Sequence, residues 1–162
     1  MRESTKYVMD RITLSLIELM TETPIGNISI CAIIDNAGVS RNSFYRHFQD
    51  KDDILRYYIS SETERWLSES DLNFLNIPSP QEYIVFLLKH LYEYRNVVDL
   101  LIRDNKMSLL EEEFDKRFHA LLSDITDPWH IAFTIGGFYK LFCYWAKTGY
   151  EKTPEEIAAY IQ

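Results

Sequence analysis

The chain has 162 residues and a formal net charge of −8 at pH 7, and 46% of its residues are hydrophobic. This length and composition fit one compact body or two small units with a shared core, and they exclude a disordered chain. No apolar run reaches the roughly 20 residues that a membrane helix needs, and the polar N-terminus predicts no signal peptide. The sequence therefore predicts a cytoplasmic protein without membrane contact.

Helical periodicity runs along nearly the whole chain. The first predicted helix covers residues 4–22, and two short helices follow Ser29 and Ser40. A long fourth helix starts near Lys51, and Pro78 and Pro80 end that region. Five further helices are predicted near residues 81–94, 96–105, 107–125, 129–148 and 154–162. No alternating run is long enough to indicate a sheet.

The sharpest local signal lies between residues 37 and 48. Gly38 can adopt the left-handed conformation that ends a helix, and Ser40 is a good N-cap for the next one. At 100° per residue, Phe44 and Phe48 fall on one face of this short helix, and that face must be buried. The other positions carry polar or aromatic side chains: Arg41, Asn42, Ser43, Tyr45, Arg46 and His47. Side chains of this kind can read base edges and bind phosphates in a DNA major groove.

The flanking residues favour the same interpretation. Ser29 can cap the preceding helix, and Asp50 can cap the following one. Lys51 lies in a first helical turn, where the helix dipole disfavours a cation, and a nearby phosphate would explain it. The segment from Gly38 to Lys51 has a net charge of +2 within an acidic chain. A helical hairpin in an ordinary core, with a solvated polar face, remains the alternative.

Residues 28–55 resemble the DNA-binding domain of the TetR family of bacterial transcription regulators. The matching strings are Ala37-Gly38-Val39-Ser40, Ser43-Phe44-Tyr45-Arg46-His47-Phe48 and Asp50-Lys51-Asp52-Asp53-Ile54-Leu55. The chain departs from the family at Ile34, where alanine is frequent, and at Asn42, where glycine is frequent. The resemblance implies an all-α fold of about nine helices. In it, a three-helix N-terminal helix-turn-helix domain, residues 1–66, is joined by a long helix to a C-terminal helical bundle, residues 67–162.

The resemblance also implies a function. Members of this family are non-enzymatic transcription regulators, commonly repressors, and bind an inverted repeat of double-stranded DNA as homodimers. The residues that would contact DNA here are Ser29, Ser40, Arg41, Asn42, Ser43, Tyr45, Arg46, His47 and Lys51. The C-terminal helices of the family often enclose a small-molecule effector. The ligand-binding residues stay unassigned, and the short chain predicts a small pocket or none.

The predicted helix over residues 129–148 contains Gly136 and Gly137 near its middle. Glycine costs about 1 kcal/mol relative to alanine in a helix interior, and close approach of another backbone can offset that cost. By resemblance, this helix and the one over residues 154–162 would pack against a second subunit. A kinked helix in the core of a single chain is the other explanation.

The remaining chemistry of the sequence is sparse. Cys31 and Cys143 lie in apolar helical segments and are predicted to be small buried side chains rather than a disulfide. The four histidines have no metal-site spacing, and no phosphate-binding glycine loop or catalytic triad pattern occurs. The sequence predicts no cofactor, metal or enzymatic activity. Two other functions stay open: a co-activator that binds proteins on the same fold, and a helical ligand-binding protein with a vestigial DNA-binding head.

Overall fold

The computed structural model describes residues 5–69, 79–124 and 126–161, and this part of the chain is helical and has no β-strand. Its nine α-helices are α1 Thr5–Glu22, α2 Ile30–Ala37, α3 Arg41–His47, α4 Lys51–Glu69, α5 Pro80–Glu93, α6 Arg95–Arg103, α7 Met107–Leu122, α8 Pro128–Lys147 and α9 Pro154–Ala158. One 3₁₀ turn, Ile25–Asn27, separates α1 from α2. The all-α prediction is confirmed. The last helix is shorter than predicted, and Pro78 lies outside the described residues.

Local sequence sets the boundaries of the first helices. The side chains of Ser29, Ser40 and Asp50 each accept the backbone N–H three residues further on, at 2.9 to 3.1 Å. Each of these bonds satisfies an N–H group that has no partner within its own helix. Gly38 ends α2 with φ 61° and ψ 37°, the left-handed conformation that its lack of a Cβ permits. The predicted caps are thus confirmed.

Helices α1 to α3 form the N-terminal unit, here called the head. Its buried side chains come from all three helices: Ile12, Leu16, Met20, Ile33, Ile34, Ala37 and Phe44. The Ser15 hydroxyl, also buried, donates to the carbonyl of Ile33 at 3.0 Å and ties α1 to α2. Helix α4 leaves the head at Lys51 and continues to Glu69, so that one helix links the head to the C-terminal helices.

The C-terminal helices enclose an aromatic core. Helix α7 packs on α4 and α8, while α5 packs on α9. Four rings from α7 and α8 surround Phe114, with centroids 5.8 to 6.4 Å from its own: Phe118, Phe138, Tyr139 and Phe142. On α4, Trp66 stacks on His90 of α5 with centroids 4.3 Å apart. Trp145 is only 4% exposed, and its indole N–H donates to the Lys152 carbonyl at 2.7 Å.

Helix α8 carries large apolar side chains on both sides, and its exposed side also carries Lys140 and Lys147. One side is buried, whereas the opposite side exposes Trp129 (87%), Phe133 (82%) and Tyr144 (71%). Gly136 and Gly137 are exposed too, and a Cβ added to either glycine would meet no atom within 4 Å. The described part of the chain therefore supplies no backbone that approaches these glycines closely.

The expected burial of both cysteines is wrong for Cys31. Its side chain is exposed on α2, while Cys143 is half-buried on α8. The buried side of α2 is set by Ile33, Ile34 and Ala37. At 100° per residue, position 31 lies well away from that side, so that apolar neighbours in the sequence do not bury it.

Candidate nucleic-acid interface

Helix α3 is held by its aromatic side chains and exposes its polar ones. Phe44 is fully buried and Phe48 is 3% exposed, and their ring centroids lie 6.2 Å apart. The exposed side chains of the helix are those of Arg41, Asn42, Tyr45 and Arg46. Ser43 and His47 are half-buried at its edges. The two phenylalanines thus fix the orientation of a surface that carries two guanidinium groups, an amide and a phenol.

The turn before α3 lies against α1. A Cβ added to Gly38 would come within 2.6 Å of the Arg11 guanidinium, which also lies 5.7 Å from the ring centroid of Tyr7. Arg11 therefore places a further cation beside this turn, in addition to the residues predicted from the sequence. No local pattern of the sequence indicates this proximity, because Arg11 and Gly38 lie 27 positions apart in the chain.

Helices α2 and α3 also meet at Arg41. One of its guanidinium nitrogens lies 3.7 Å from the sulfur of Cys31. This weak hydrogen bond joins an exposed side chain of α2 to the first residue of α3. It restricts where the guanidinium can lie on the surface.

Lys51 has a role that its position in the sequence did not reveal. Its ammonium donates to the carbonyls of Ile25 at 2.5 Å and Ile28 at 2.9 Å. Both carbonyls belong to the segment between α1 and α2, so that Lys51 fixes this segment to the start of α4. An ammonium carries three protons, and these two bonds leave one for a further acceptor.

Residues between α6 and α7 contact both this segment and the first turn of α4. The Ile25 N–H donates to the Asp104 carboxylate at 3.0 Å, and Lys106 forms an ion pair with Asp52 at 2.7 Å. We call these two contacts the clasp. The Arg103 guanidinium, and after it the Ile25 N–H, hold the pKa of Asp104 below its ordinary value, so that the carboxylate stays charged. The clasp thus attaches the turn between α6 and α7 to the head and to the first turn of α4.

Seven of the nine predicted contact residues form one continuous stretch of chain. Six of these, from Arg41 to His47 around the buried Phe44, belong to α3, and Ser40 caps it. Ser29 is exposed at the start of α2 and caps that helix. Lys51 is half-buried and bonded to backbone carbonyls. No cluster of three or more His, Cys, Asp or Glu that could hold a metal ion occurs among the described residues.

Residues 14–58 match the family model described as "Bacterial regulatory proteins, tetR family". The chain carries a TetR-family domain. The matched segment covers most of α1, the whole helix-turn-helix and the first residues of α4. The resemblance that the sequence motifs indicated is thereby confirmed. A comparison with curated proteins finds no match.

Among solved structures, the chain is similar to a TetR transcriptional regulator from Streptococcus agalactiae 2603V. The two share 19% sequence identity with a TM-score of 0.66, over 96% of this chain and 92% of that chain. At this identity the similarity shows the fold, which extends beyond the matched N-terminal segment to the C-terminal helices. None of the described helices is long and apolar enough to cross a membrane.

Proposed function

We propose that the protein is a transcription regulator that inserts α3 into the major groove of double-stranded DNA. The observation that carries this proposal is the geometry of α3. Its apolar side is buried, and its exposed side presents hydrogen-bond donors and acceptors on a short, capped helix. A recognition helix needs this division, because base edges are read by side chains whose backbone is held in place.

The proposed contacts divide by chemistry. Arg41, Asn42, Ser43 and Arg46 would bind base edges or phosphates, since guanidinium and amide groups form paired hydrogen bonds with guanine and adenine. Phosphate contacts are assigned to Ser29, Tyr45, His47 and the remaining proton of Lys51. Ser40 holds the first turn of the helix.

We further propose a homodimer formed through α8 and α9. The exposed side chains Trp129, Phe133 and Tyr144, with Gly136 and Gly137 between them, form what we call the α8 ridge. Its three aromatic residues are the most exposed large apolar side chains in the described part of the chain, and Tyr160, just after α9, is 70% exposed. Exposed aromatic side chains grouped on one helix face, with the exposed Lys140 among them, favour an interface. A two-fold dimer places two heads about one DNA turn apart, roughly 34–36 Å or a multiple of it, which requires an inverted repeat.

The regulatory part of the proposal follows the family. The protein would be a non-enzymatic repressor in the cytoplasm, with residues 1–66 as the DNA-binding domain and residues 67–162 as the dimerisation and effector domain. A small-molecule effector between the C-terminal helices would release the DNA. The clasp supports such coupling, because it connects the end of α6 directly to the head.

Selection of bound sequences from a random DNA pool at physiological salt tests the proposal. We expect enrichment of inverted repeats, with half-sites about one helical turn apart or a multiple of it. Arg46→Ala should weaken binding and reduce the slope of log K against log salt by about 0.9 if Arg46 binds one phosphate. Lys116→Ala makes the same change in net charge on α7 and should leave the affinity nearly unchanged.

A pool without any enriched sequence would contradict the proposal. That result would favour the co-activator alternative, in which the same fold binds a protein rather than DNA. Equal effects of Arg46→Ala and Lys116→Ala would show that α3 is not the contacting surface.

A further inference from the structure

The exposed side of α8 has an internal symmetry. Phe133 and Lys140 are equally far from the midpoint of Gly136–Gly137, and so are Trp129 and Tyr144. At 100° per residue, all these positions lie within about 50° of one line along the helix. Every one of them is exposed. They form what we call the α8 stripe, in which the spacing of the side chains is the same from either end.

The core of the chain fixes the direction of the α8 stripe. Ile135, Phe138 and Phe142 lie on the opposite side of α8 and are at most 9% exposed. Because these side chains anchor the helix, the stripe is held outward as a fixed surface. Lys140 forms no ion pair with any residue in the described part of the chain. Within that part, a lysine without a counter-charge thus lies among exposed rings.

A two-fold dimer restricts how the α8 stripe can meet its own copy. In a two-fold interface, a residue that contacts a second residue of the partner is matched by the reverse contact. If the two α8 helices are parallel, each residue meets its own copy, and Lys140 lies opposite Lys140 of the partner subunit. If they are antiparallel about Gly136–Gly137, Lys140 lies opposite Phe133 of the partner subunit. The like charges disfavour the parallel arrangement.

The antiparallel arrangement also gives each large side chain of the stripe a suitable neighbour. An ammonium within about 6 Å of a ring centroid is attracted to the face of the ring, which explains a lysine at the position that meets Phe133 of the partner subunit. Trp129 would pack ring against ring on Tyr144 of the partner subunit. At the centre, the space around Gly136–Gly137 is open in the single chain, and the missing Cβ atoms let two helix backbones approach closely.

We propose that the two α8 helices of the dimer are antiparallel, with the two-fold axis at Gly136–Gly137 and with Lys140 on Phe133 of the partner subunit. This register rests on the proposed homodimer and specifies which residues of the two copies meet. Each dimer contains the contact between lysine and ring twice. Lys140 selects the antiparallel register, because a parallel pair would bring two lysines together.

The dissociation constant of the dimer, measured by sedimentation equilibrium on the full-length protein, tests the role of Lys140. Lys140→Glu places a carboxylate on the negative face of the ring and should weaken the dimer by at least about tenfold, since both copies of the contact are lost. Lys140→Arg keeps the positive charge and should dimerise within about threefold of the unchanged protein. Lys147→Glu is the matched control. It makes the same charge change on α8 outside the symmetric pairs and should alter the constant less than about twofold.

Disulfide cross-linking tests the register itself. Cys31→Ser and Cys143→Ser remove the native thiols, and Phe133→Cys and Lys140→Cys are then introduced in separate chains. Each variant alone should stay unlinked, because its two copies lie on opposite sides of the axis. The two variants, unfolded and refolded together, should form linked dimers, since a disulfide needs Cβ atoms about 3.5–4.5 Å apart. Thr134→Cys, exposed beside the stripe, should link to neither variant.

The antiparallel register is wrong if either cysteine variant links to itself as readily as to the other, or if the mixture forms no linked dimer although the unchanged protein is a dimer. It is also wrong if Lys140→Glu dimerises as tightly as the unchanged protein. These results would leave the homodimer itself standing. A protein that is monomeric at every concentration would instead contradict the homodimer, and the register with it.

Discussion

At the scale of single residues, Lys51 joins the start of α4 to the segment between α1 and α2, which is distant in sequence. Its ammonium holds the carbonyls of Ile25 and Ile28, which lie 26 and 23 residues earlier in the chain. The sequence pattern indicated that Lys51 contacts a phosphate, since the helix dipole disfavours a cation in the first turn of a helix. The hydrogen bonds to these two carbonyls explain, from the fold itself, why a lysine occupies this position.

Replacing Lys51 by methionine should therefore destabilise the folded protein. Methionine keeps a similar length but donates no hydrogen bond, so that two partly buried carbonyls lose their charged partner. We expect a loss of about 1–3 kcal/mol in the free energy of unfolding, measured by urea denaturation. Lys116→Met, at an exposed site, serves as the control. An unchanged urea midpoint for Lys51→Met would show that these hydrogen bonds contribute nothing to stability.

At the scale of elements, the turn between α2 and α3 depends on Gly38. Alanine at this position should cost roughly 1–2 kcal/mol because its φ of 61° is strained for a residue with a Cβ. The added carbon would also displace Arg11, whose guanidinium occupies that space. Thermal unfolding measures the loss.

Gly26 is the matched control for this substitution. A Cβ added there meets no atom within 4 Å, and its φ is not positive. Gly26→Ala should therefore change stability little. A similar loss for both alanine variants would indicate that the loss at Gly38 is not due to its left-handed conformation.

Asp104 in the clasp predicts that the stability of the folded protein depends on pH. The pKa of Asp104 is lowered in the folded protein, mainly by Arg103, so that the charged form favours folding. Its contribution is present above the unfolded pKa of about 3.9 and is lost as the pH falls through the lower folded value. The stability of Asp104→Ala should consequently fall less steeply below pH 4 than that of the unchanged protein.

Hydrogen exchange gives an independent measurement of the clasp. In Asp104→Ala the Ile25 amide loses its acceptor, and we expect it to exchange faster while amides of α8 keep their rates. Asp35→Ala, an exposed change on α2, should leave both unaffected. An Ile25 amide that exchanges at the same rate in both variants would contradict the proposed link between the head and α6.

The sequence predicted the features whose causes are local. Caps at Ser29, Ser40 and Asp50 and the buried side of α3 depend on neighbours within four residues, and all of them are confirmed. The hydrogen bond between Asp104 and Ile25 joins residues 79 positions apart, and no local pattern in the sequence predicts a contact of that range. Cys31 shows a different limit, because apolar composition suggested burial where the helical angle places the side chain outside.

At the scale of the whole molecule, the α8 ridge predicts association. Phe133→Asp should convert the proposed dimer to monomers, because a carboxylate buried in an apolar interface loses its hydration. Sedimentation velocity across a range of concentrations measures the shift. Leu14→Asp is the control, since Leu14 is also exposed, at 63%, but lies on α1. If the unchanged protein is a monomer, or if Phe133→Asp is still a dimer, the α8 ridge does not form a dimer interface.

The three tryptophans occupy three different environments. Trp129 is 87% exposed on the α8 ridge, Trp66 stacks on His90 between α4 and α5, and Trp145 is buried against Tyr92 and Tyr150. Indole emission depends on contact with water, so that each ring is an optical signal for a separate event. Single-tryptophan versions of the protein would report subunit association at Trp129, movement of α5 against α4 at Trp66 and loss of the core at Trp145. The chain thus carries its own spectroscopic labels for the steps proposed here.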